Sequence, residues 1–219
     1  SRGLGDVYKR QPYDNWPTGN AFIYARNPAT GTYMFHQALT PPAGVNRLGS
    51  SVAIDGDTCV VGAWASSRAH IYTRDAEGGS WNLVTTFTGA YSFGSQVAID
   101  GDTCVIATPY ANGNTGSAHV FTRGDSGTWS EEGTALLNPG GVYFFGDSLS
   151  IHGDTCVVGS PNVVGAAHVY TRDAKGQWSA GTALSRPGGA DYFGRSVAIH
   201  GDTCIVGAQG PSNFGSGTI

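Results

Sequence analysis

A carboxylate and a thiol recur side by side in this chain, in four copies of the tetrapeptide Gly-Asp-Thr-Cys. The copies occupy 56–59, 101–104, 153–156 and 201–204, at intervals of 45, 52 and 48 residues. Aspartate can serve as an acid, a base or a metal ligand, and cysteine as a nucleophile or a zinc ligand. All four copies lie in one frame, Gly-x-Ser/Gln-x-x-Ile-x-Gly-Asp-Thr-Cys. A chemical group that returns in every copy of a repeat is better explained as structural.

The expected structural positions are therefore the glycine, aspartate and cysteine of each copy: Gly56, Asp57, Cys59, Gly101, Asp102, Cys104, Gly153, Asp154, Cys156, Gly201, Asp202 and Cys204. Equivalent cysteines of successive repeats are separated by the width of a repeat, whereas a disulfide needs Cα atoms within about 7 Å. We expect four buried free thiols and no disulfides. No Cys-x-x-Cys occurs, which disfavours a zinc or redox site. The aspartates are expected to cap turns.

Three histidines also recur, each followed by an aromatic residue and an arginine at alternate positions: His70, His119 and His168. They could form a metal-binding or catalytic array. The alternative is a packing stripe in which arginine stacks on Tyr or Trp, and one histidine per repeat favours it. No nucleophile elbow or phosphate loop is present, so we expect no enzyme and no cofactor. An acid/base pair for sugar hydrolysis, assembled from distant loops, remains a possible alternative.

One tripeptide, Arg123-Gly124-Asp125, spells the Arg-Gly-Asp sequence that integrins recognise. It falls in an expected turn, where exposure is usual. Neighbouring repeats read Thr-Arg-Asp at this place, and short motifs match by chance. We therefore give an adhesion role of this tripeptide little weight.

Short β-branched runs place these residues on strands. Ser51–Ile54 and Thr58–Val61 flank Asp55-Gly56, which predicts an A–B hairpin with a type I′ turn. His152 and His200 replace this aspartate in later copies, and we interpret the exchange as conformational, since His also tolerates positive φ. Two further runs per repeat, such as 69–74 and 81–84, predict a C–D hairpin.

Four antiparallel strands per repeat, apolar on both faces, predict an all-β fold: a β-propeller of four-stranded blades with almost no helix. About four blades are visible, and the boundaries we expect are a half blade at 20–40, blades at 45–87, 90–137 and 142–184, and a half blade at 190–219. The halves could close a small ring, but an arc of a larger propeller is simpler. The domain then spans 12–219 of a fragment of a longer protein. Residues 6–11 resemble a translated sequencing-library transposon end, which makes residues 1–11 an expected artefact outside the fold.

The charge is modest, with a net charge of -4 and 13% charged residues. No basic run is present, so we expect no nucleic-acid partner. No apolar stretch has the length of a membrane span, so no membrane insertion is expected.

Phe93-Gly94, Phe145-Gly146 and Phe193-Gly194, with Gly62-Ala63 or a variant of it after strand B, resemble the FG-GAP repeat of integrin α-subunit propellers and secreted bacterial proteins. The resemblance covers about 20–219. It implies an extracellular or cell-surface β-propeller, usually seven-bladed, that binds other molecules in adhesion or assembly. Calcium-binding members carry an Asp-x-Asp-x-Asp-Gly loop, but the turn here is too short and poor in carboxylates. We therefore expect no calcium.

Alternating strands place the A–B and C–D turns at one end of each blade and the B–C and D–A loops at the other. The latter loops vary between copies, and binding residues concentrate in such loops. They carry the candidate ligand-binding residues Trp64, Tyr91, Tyr110, Asn112, Asn114, Tyr143 and Tyr192. Aromatic and amide groups suit a protein or carbohydrate ligand. The alternatives are loop packing alone, or an accessory or catalytic propeller of an extracellular hydrolase or polysaccharide lyase.

Overall fold

The computed structural model describes residues 18–209 apart from 77, 134, 140, 142, 163–164 and 187–191. The expected artefact at 1–11 and the last ten residues of the chain lie outside this part. The strands are β1 Ala21–Arg26, β2 Tyr33–Leu39, β3 Ser51–Asp55, β4 Thr58–Ala63, β5 Arg68–Arg74, β6 Trp81–Thr88, β7 Gln96–Asp100, β8 Thr103–Ala107, β9 Ser117–Arg123, β10 Trp129–Glu131, β11 Leu136–Leu137, β12 Ser148–His152, β13 Thr155–Ser160, β14 Ala166–Thr171, β15 Thr182–Ala183, β16 Ser196–His200 and β17 Thr203–Gly207.

These strands form five antiparallel sheets. Blade 1 has the order β3-β4-β5-β6, blade 2 the order β7-β8-β9-β10 with β11 also on β9, and blade 3 the order β12-β13-β14-β15. An N-terminal half blade consists of β1 and β2, and a C-terminal half blade of β16 and β17. The first strand of each blade contacts the first strand of the next. The predicted all-β, blade-like fold is confirmed, and the repeated cysteines lie on equivalent second strands.

Apolar cores fill the spaces between neighbouring sheets. Between blades 1 and 2, Val60 and Ile71 meet Phe93, Cys104 and Phe121, all buried. The core between blades 2 and 3 repeats this arrangement, with Val105 and Val120 against Phe145, Cys156 and Tyr170. Blade 2 is thus buried on both faces, as a sheet between two others must be.

The glycine after the repeated phenylalanine permits a close approach of two loops. Gly94 has φ +86°, and a Cβ there would lie 2.2 Å from the Arg68 carbonyl oxygen. Only glycine combines this φ with this contact. Gly194 has the same conformation and contact: its φ is +90°, and a Cβ there would lie 2.1 Å from the Ala166 carbonyl oxygen.

The A–B turn differs from the type I′ prediction. Asp55 pairs with Thr58, so the two-residue loop is Gly56-Asp57. Gly56 has φ +52°, and Asp57 is not among the described residues with positive φ. A single positive φ at the first loop position is the pattern of a type II′ turn.

The residue before the turn glycine caps the next blade. Asp55 Oδ2 accepts a hydrogen bond of 2.7 Å from the Gly101 N–H, and Asp100 Oδ2 accepts one of 2.7 Å from Gly153. His152 Nδ1 accepts the equivalent bond from Gly201 at 3.3 Å. The conformational explanation of the His-for-Asp exchange was wrong, because both side chains serve as acceptors for a neighbouring N–H.

Helical structure in the described residues is confined to short turns. A 3-10 turn covers Trp64–Ser66, and a single helical turn covers Ala111–Asn114. No described helix reaches the length and apolarity that a membrane crossing requires. Blade 2 divides its outer strand into β10 and β11, a break that the sequence did not predict.

Candidate functional site

The variable loops form an open cleft at the inner side of their end of the molecule. Its volume is about 430 Å³. The lining residues come from all three blades: Ser50, Trp64, Tyr91, Ser95, Gln96, Tyr110 and Asp147. The structure thus brings together three of the aromatic residues that the sequence singled out.

Local contacts hold these aromatic residues in place. Trp64 begins the 3-10 turn after β4, and the Arg47 guanidinium carbon lies 5.0 Å from its ring centre. The Tyr110 N–H donates to Ser92 Oγ at 3.0 Å, and its ring lies 5.7 Å from that of Phe144. Tyr91 is 66% exposed and Tyr110 is 40% exposed. Fixed backbones with exposed rings leave these faces available to a ligand.

A left-handed residue precedes the repeated aromatic or leucine in every copy. Arg47, Ser92, Phe144 and Tyr192 have φ of 56°, 69°, 63° and 53°. Such angles are uncommon outside glycine. Their recurrence indicates that this bend is built into the repeat.

Four polar residues of the cleft were missed by sequence reasoning: Ser50, Ser95, Gln96 and Asp147. Ser50, Ser95 and Asp147 occupy the variable second position of the Gly-x-Ser/Gln frame, one per blade. Asp147 Oδ2 accepts a hydrogen bond of 2.7 Å from Arg195, the fourth residue at this position. The sequence did contain a sign of this site: the second position of the repeated frame varies between Ser, Ser, Asp and Arg, whereas the positions around it are nearly constant.

The other candidates are not among the residues that line the cleft. Asn112 and Asn114 are exposed, with φ of 53° and 71°. The ring of Tyr143 lies 6.3 Å from that of Phe144. Tyr192 is 38% exposed on the following loop.

The aspartates of the repeated tetrapeptide belong to the opposite end of the blades. Asp57 pairs with Arg74, Asp102 with Arg123 and Asp154 with Arg172. Each arginine also lies over a tryptophan of its own blade, at 5.6 Å from Trp81, 5.5 Å from Trp129 and 5.4 Å from Trp178. The expected arginine stacking is present, within the blade. The expected turn-capping role of the aspartates is replaced by an ion pair.

This pairing involves the Arg-Gly-Asp turn. Arg123 Nε donates to Asp102 Oδ1 at 2.6 Å, and Arg123 Nη1 donates to Thr58 Oγ1 at 3.2 Å. Only Asp125 of the tripeptide has an exposed side chain. The arginine is therefore part of the scaffold.

Three cysteines and two of the recurring histidines are parts of the core: Cys59, Cys104, Cys156, His70 and His168. Cys204 and His119 are partly exposed, so the prediction of four buried thiols was wrong for Cys204, which lies on the half blade that packs against one sheet only. All four cysteines are free. Burial raises the pKa of the Cys59 and Cys156 thiols to about 12, and it also raises the pKa of Cys104. Burial and the Arg68 charge lower the pKa of His70 to about 4. A thiol held neutral is a poor nucleophile, and an imidazole with a lowered pKa is a poor base.

The calcium site of related repeats does not fit these residues. The turn has two loop residues, and the Asp57 carboxylate binds an arginine. Calcium needs six to eight oxygen ligands. Among the described residues, no cluster of three or more His, Cys, Asp or Glu side chains could hold a metal ion.

Comparisons with known proteins agree with this architecture. A family model described as FG-GAP repeat matches residues 40–80, 89–121 and 187–219. No curated protein matches the chain.

Solved structures with similar folds share little sequence with the chain. A Lactobacillus plantarum protein has 18% identity and a TM-score of 0.50, over 75% of this chain and 48% of its own. The computationally designed protein Ika4 has 15% identity and a TM-score of 0.50, over 74% of this chain and 85% of Ika4. A Bacteroides uniformis protein described as a "putative 6-phosphogluconolactonase" has 15% identity and a TM-score of 0.53, over 80% and 52%. The chain thus spans about half of each of the two bacterial proteins, and these likenesses concern the fold alone.

Proposed function

We propose that this chain, a β-propeller protein built of FG-GAP repeats, is an extracellular module that binds carbohydrate on its B–C/D–A loop end. The observation that carries the proposal is the convergence of Trp64, Tyr91 and Tyr110 with polar side chains in one cleft. Sites for small ligands combine aromatic surfaces with a few polar groups that fix orientation. Sugars present apolar ring faces and hydroxyl groups that match both kinds of surface.

The polar rim supplies donors and acceptors for hydroxyl groups. Ser50 and Ser95 offer hydroxyls, Gln96 an amide, and Asp147 a carboxylate. Because the cleft is open and about 430 Å³, it suits a short stretch of a longer chain. FG-GAP repeats are common in extracellular proteins, which supports a glycan of a surface or matrix as the ligand.

The same cleft favours binding without turnover. Glycoside hydrolysis in most families uses two carboxyl groups on either side of the scissile bond. Asp147 is the carboxylate among the described lining residues, and its Oδ2 is hydrogen-bonded to Arg195. We therefore propose a non-enzymatic role, and an assay for new reducing ends with any bound polysaccharide tests it.

The binding prediction is tested by glycan-array screening followed by calorimetry of each retained glycan. Trp64→Ala or Tyr110→Ala should weaken binding at least about tenfold, because aromatic residues at the centre of an interface contribute about 2 kcal/mol or more. Tyr143→Ala is the matched control, since Tyr143 is 54% exposed but does not line the cleft. A folded protein that retains a polypeptide but no glycan, or equal effects of the three variants, would contradict the carbohydrate proposal.

A further inference from the structure

The outer strand of blade 2 is interrupted where it faces blade 3. It pairs with β9 in two separate pieces, β10 and β11, and Gly133, with φ +44°, lies between them. In blade 1 the equivalent strand, β6, is continuous over Trp81–Thr88. The interruption leaves a groove at the outer edge of the molecule, between blades 2 and 3.

The groove consists of two hollows that share Trp178. One has a volume of about 380 Å³ and polar side chains in its lining: Glu132, Lys175 and Gln177. The other has a volume of about 280 Å³ and is mainly apolar, with Leu136, Pro139 and Tyr170 in its lining. No described residue of either hollow lines the cleft at the loop end. An indole ring therefore separates a polar hollow from an apolar one, away from the cleft.

Trp178 differs from the tryptophans at the same position in the other blades. Trp81 and Trp129 are 5% and 6% exposed, whereas Trp178 is partly exposed. The repeat alone therefore does not dictate an accessible indole, and the neighbourhood of blade 3 must differ.

Smaller side chains account for this difference. Between blades 1 and 2, the rings of Phe87 and Phe121 stack with 4.0 Å between their centres. Leu136 takes the place of Phe87, because each pairs with the equivalent alanine of its strand C. Ala180 takes the place of Leu83, two residues after the tryptophan. The volume that Phe and Leu fill in blade 1 is left open in the groove.

The polar groups of the groove are held in defined positions. Trp178 Nε1 donates to Glu132 Oε2 at 3.2 Å, and the Arg172 guanidinium carbon lies 5.4 Å from the indole centre. Asp173 Oδ1 accepts hydrogen bonds of 2.9 Å from the backbone N–H groups of Lys175 and Gln177. The turn is thus fixed while the Lys175 and Gln177 side chains are exposed. Groups positioned before binding lower the entropic cost of binding.

We propose that this groove binds a sugar residue of a glycan, at a second site that does not depend on the cleft. Small-ligand sites combine an aromatic surface with a few polar groups that fix orientation. The Trp178 ring matches the apolar face of a sugar, and the Glu132 carboxylate, the Gln177 amide and the Lys175 ammonium match its hydroxyl groups. The apolar hollow beside Tyr170 accommodates the part of the ligand without hydroxyl groups.

Oxidative footprinting of tryptophan, analysed by mass spectrometry, tests the site. The probes are the methyl glycosides of glucose, galactose, mannose and N-acetylglucosamine, each titrated separately. At least one should slow oxidation of Trp178 by about twofold or more, because a bound ligand covers the surface it contacts. Trp64 reports the cleft in the same experiment, and the buried Trp81 and Trp129 are internal references. Protection of Trp64 alone would support the cleft and overturn the groove, and so would protection of Trp178 by a polypeptide but by no glycoside.

Two substitutions make the test specific to the groove. Gln177→Ala should raise the glycoside concentration for half protection by about fivefold, the loss of one hydrogen bond. Thr128→Ala is the matched control, because Thr128 is exposed at the same position before the buried Trp129 and should change nothing. Leu136→Phe installs the residue of blade 1, should fill the apolar hollow, and should abolish protection in a folded protein. Equal effects of Gln177→Ala and Thr128→Ala, or undiminished protection in folded Leu136→Phe, would contradict the proposal.

Discussion

Arg123 joins two strands and two blades through one guanidinium group. It bonds Asp102 in its own blade and Thr58 in the preceding one, and it lies over Trp129. The same residue is the first member of the Arg-Gly-Asp tripeptide. A motif identified from sequence alone can therefore coincide with a structural contact that repeats in every blade.

Replacement of Arg123 by Ala should lower the unfolding free energy by about 1–2 kcal/mol, because an exposed ion pair and a cation–π contact each contribute up to about 1 kcal/mol. Asp125→Ala should change it by less than about 0.5 kcal/mol, as for most exposed positions. Urea denaturation measures both. Equal destabilisation by the two variants would contradict a structural role that belongs to Arg123 and not to Asp125.

His70 is a buried base whose protonation opposes folding. Its Nδ1 lies 2.9 Å from Thr86 Oγ1, and burial with the Arg68 charge lowers its pKa from 6.5 to about 4. Between these two values the unfolded chain binds more protons than the folded one. The unfolding free energy must therefore fall as pH falls through this window, by up to about 1.4 kcal/mol per pH unit. Burial also lowers the pKa of His168, the equivalent residue of blade 3.

His70→Phe should flatten this pH dependence, because Phe22 fills the same repeat position in β1 and Thr86 is exposed to water. Urea denaturation of the variant and the wild type at several pH values between 4 and 7 gives the comparison. Parallel stability curves for the two proteins would exclude His70 as a source of the acid sensitivity.

At the scale of secondary-structure elements, the A–B hairpins are connected by one hydrogen bond per blade. The acceptor follows the last core position of strand A, and the donor is the turn glycine of the next blade. The bond uses carboxylates in two copies and an imidazole in the third. The hairpin is therefore a turn within one blade and a cap for its neighbour.

Asp100→Ala should lower the free energy of unfolding by about 1–2 kcal/mol, because it removes the charge-assisted acceptor of the Gly153 N–H. His152→Asp, which installs the residue of the other copies, should preserve or raise the free energy of unfolding, because a carboxylate can accept the Gly201 N–H in place of the imidazole. Thermal and urea unfolding test both substitutions. A loss of stability on His152→Asp as large as that on Asp100→Ala would contradict a shared role of the position.

The sequence predicted what depends on neighbours along the chain. Strands β3, β4 and β5 follow from β-branched runs and turn glycines, and the second-strand place of Cys59 follows from the repeat. The role of Asp55 did not follow, because its partner Gly101 is 46 residues away. The same limit applies to the cleft. Trp64 and Tyr110 were identified because the loops that carry them vary between copies. Asp147 was not identified, because it lies just before β12 within the repeated Gly-x-Ser/Gln frame, whose residues were interpreted as structural.

At the scale of the whole molecule, the blades differ in how many neighbours they have. Blades 1, 2 and 3 pack between two sheets, whereas each half blade packs against one. In a linear array, stability is approximately the sum of the units and their nearest-neighbour interfaces. Hydrogen exchange should therefore be slowest in β8 and β9 and fastest in β1, β2, β16 and β17 at low protein concentration.

Exchange measured by mass spectrometry over seconds to hours resolves this gradient. Uniform protection along the chain would contradict the array description. Peptides from the two ends of blade 2 serve as an internal control, since both of its faces are covered.

The cap between blades also bears on how such a protein can change its number of blades. The acceptor belongs to one copy of the repeat, the donor is a backbone N–H that every copy possesses, and either Asp or His can serve. No blade therefore requires a particular neighbour at this contact. Unequal recombination could therefore add or remove a whole copy and still leave this hydrogen bond at the new junction.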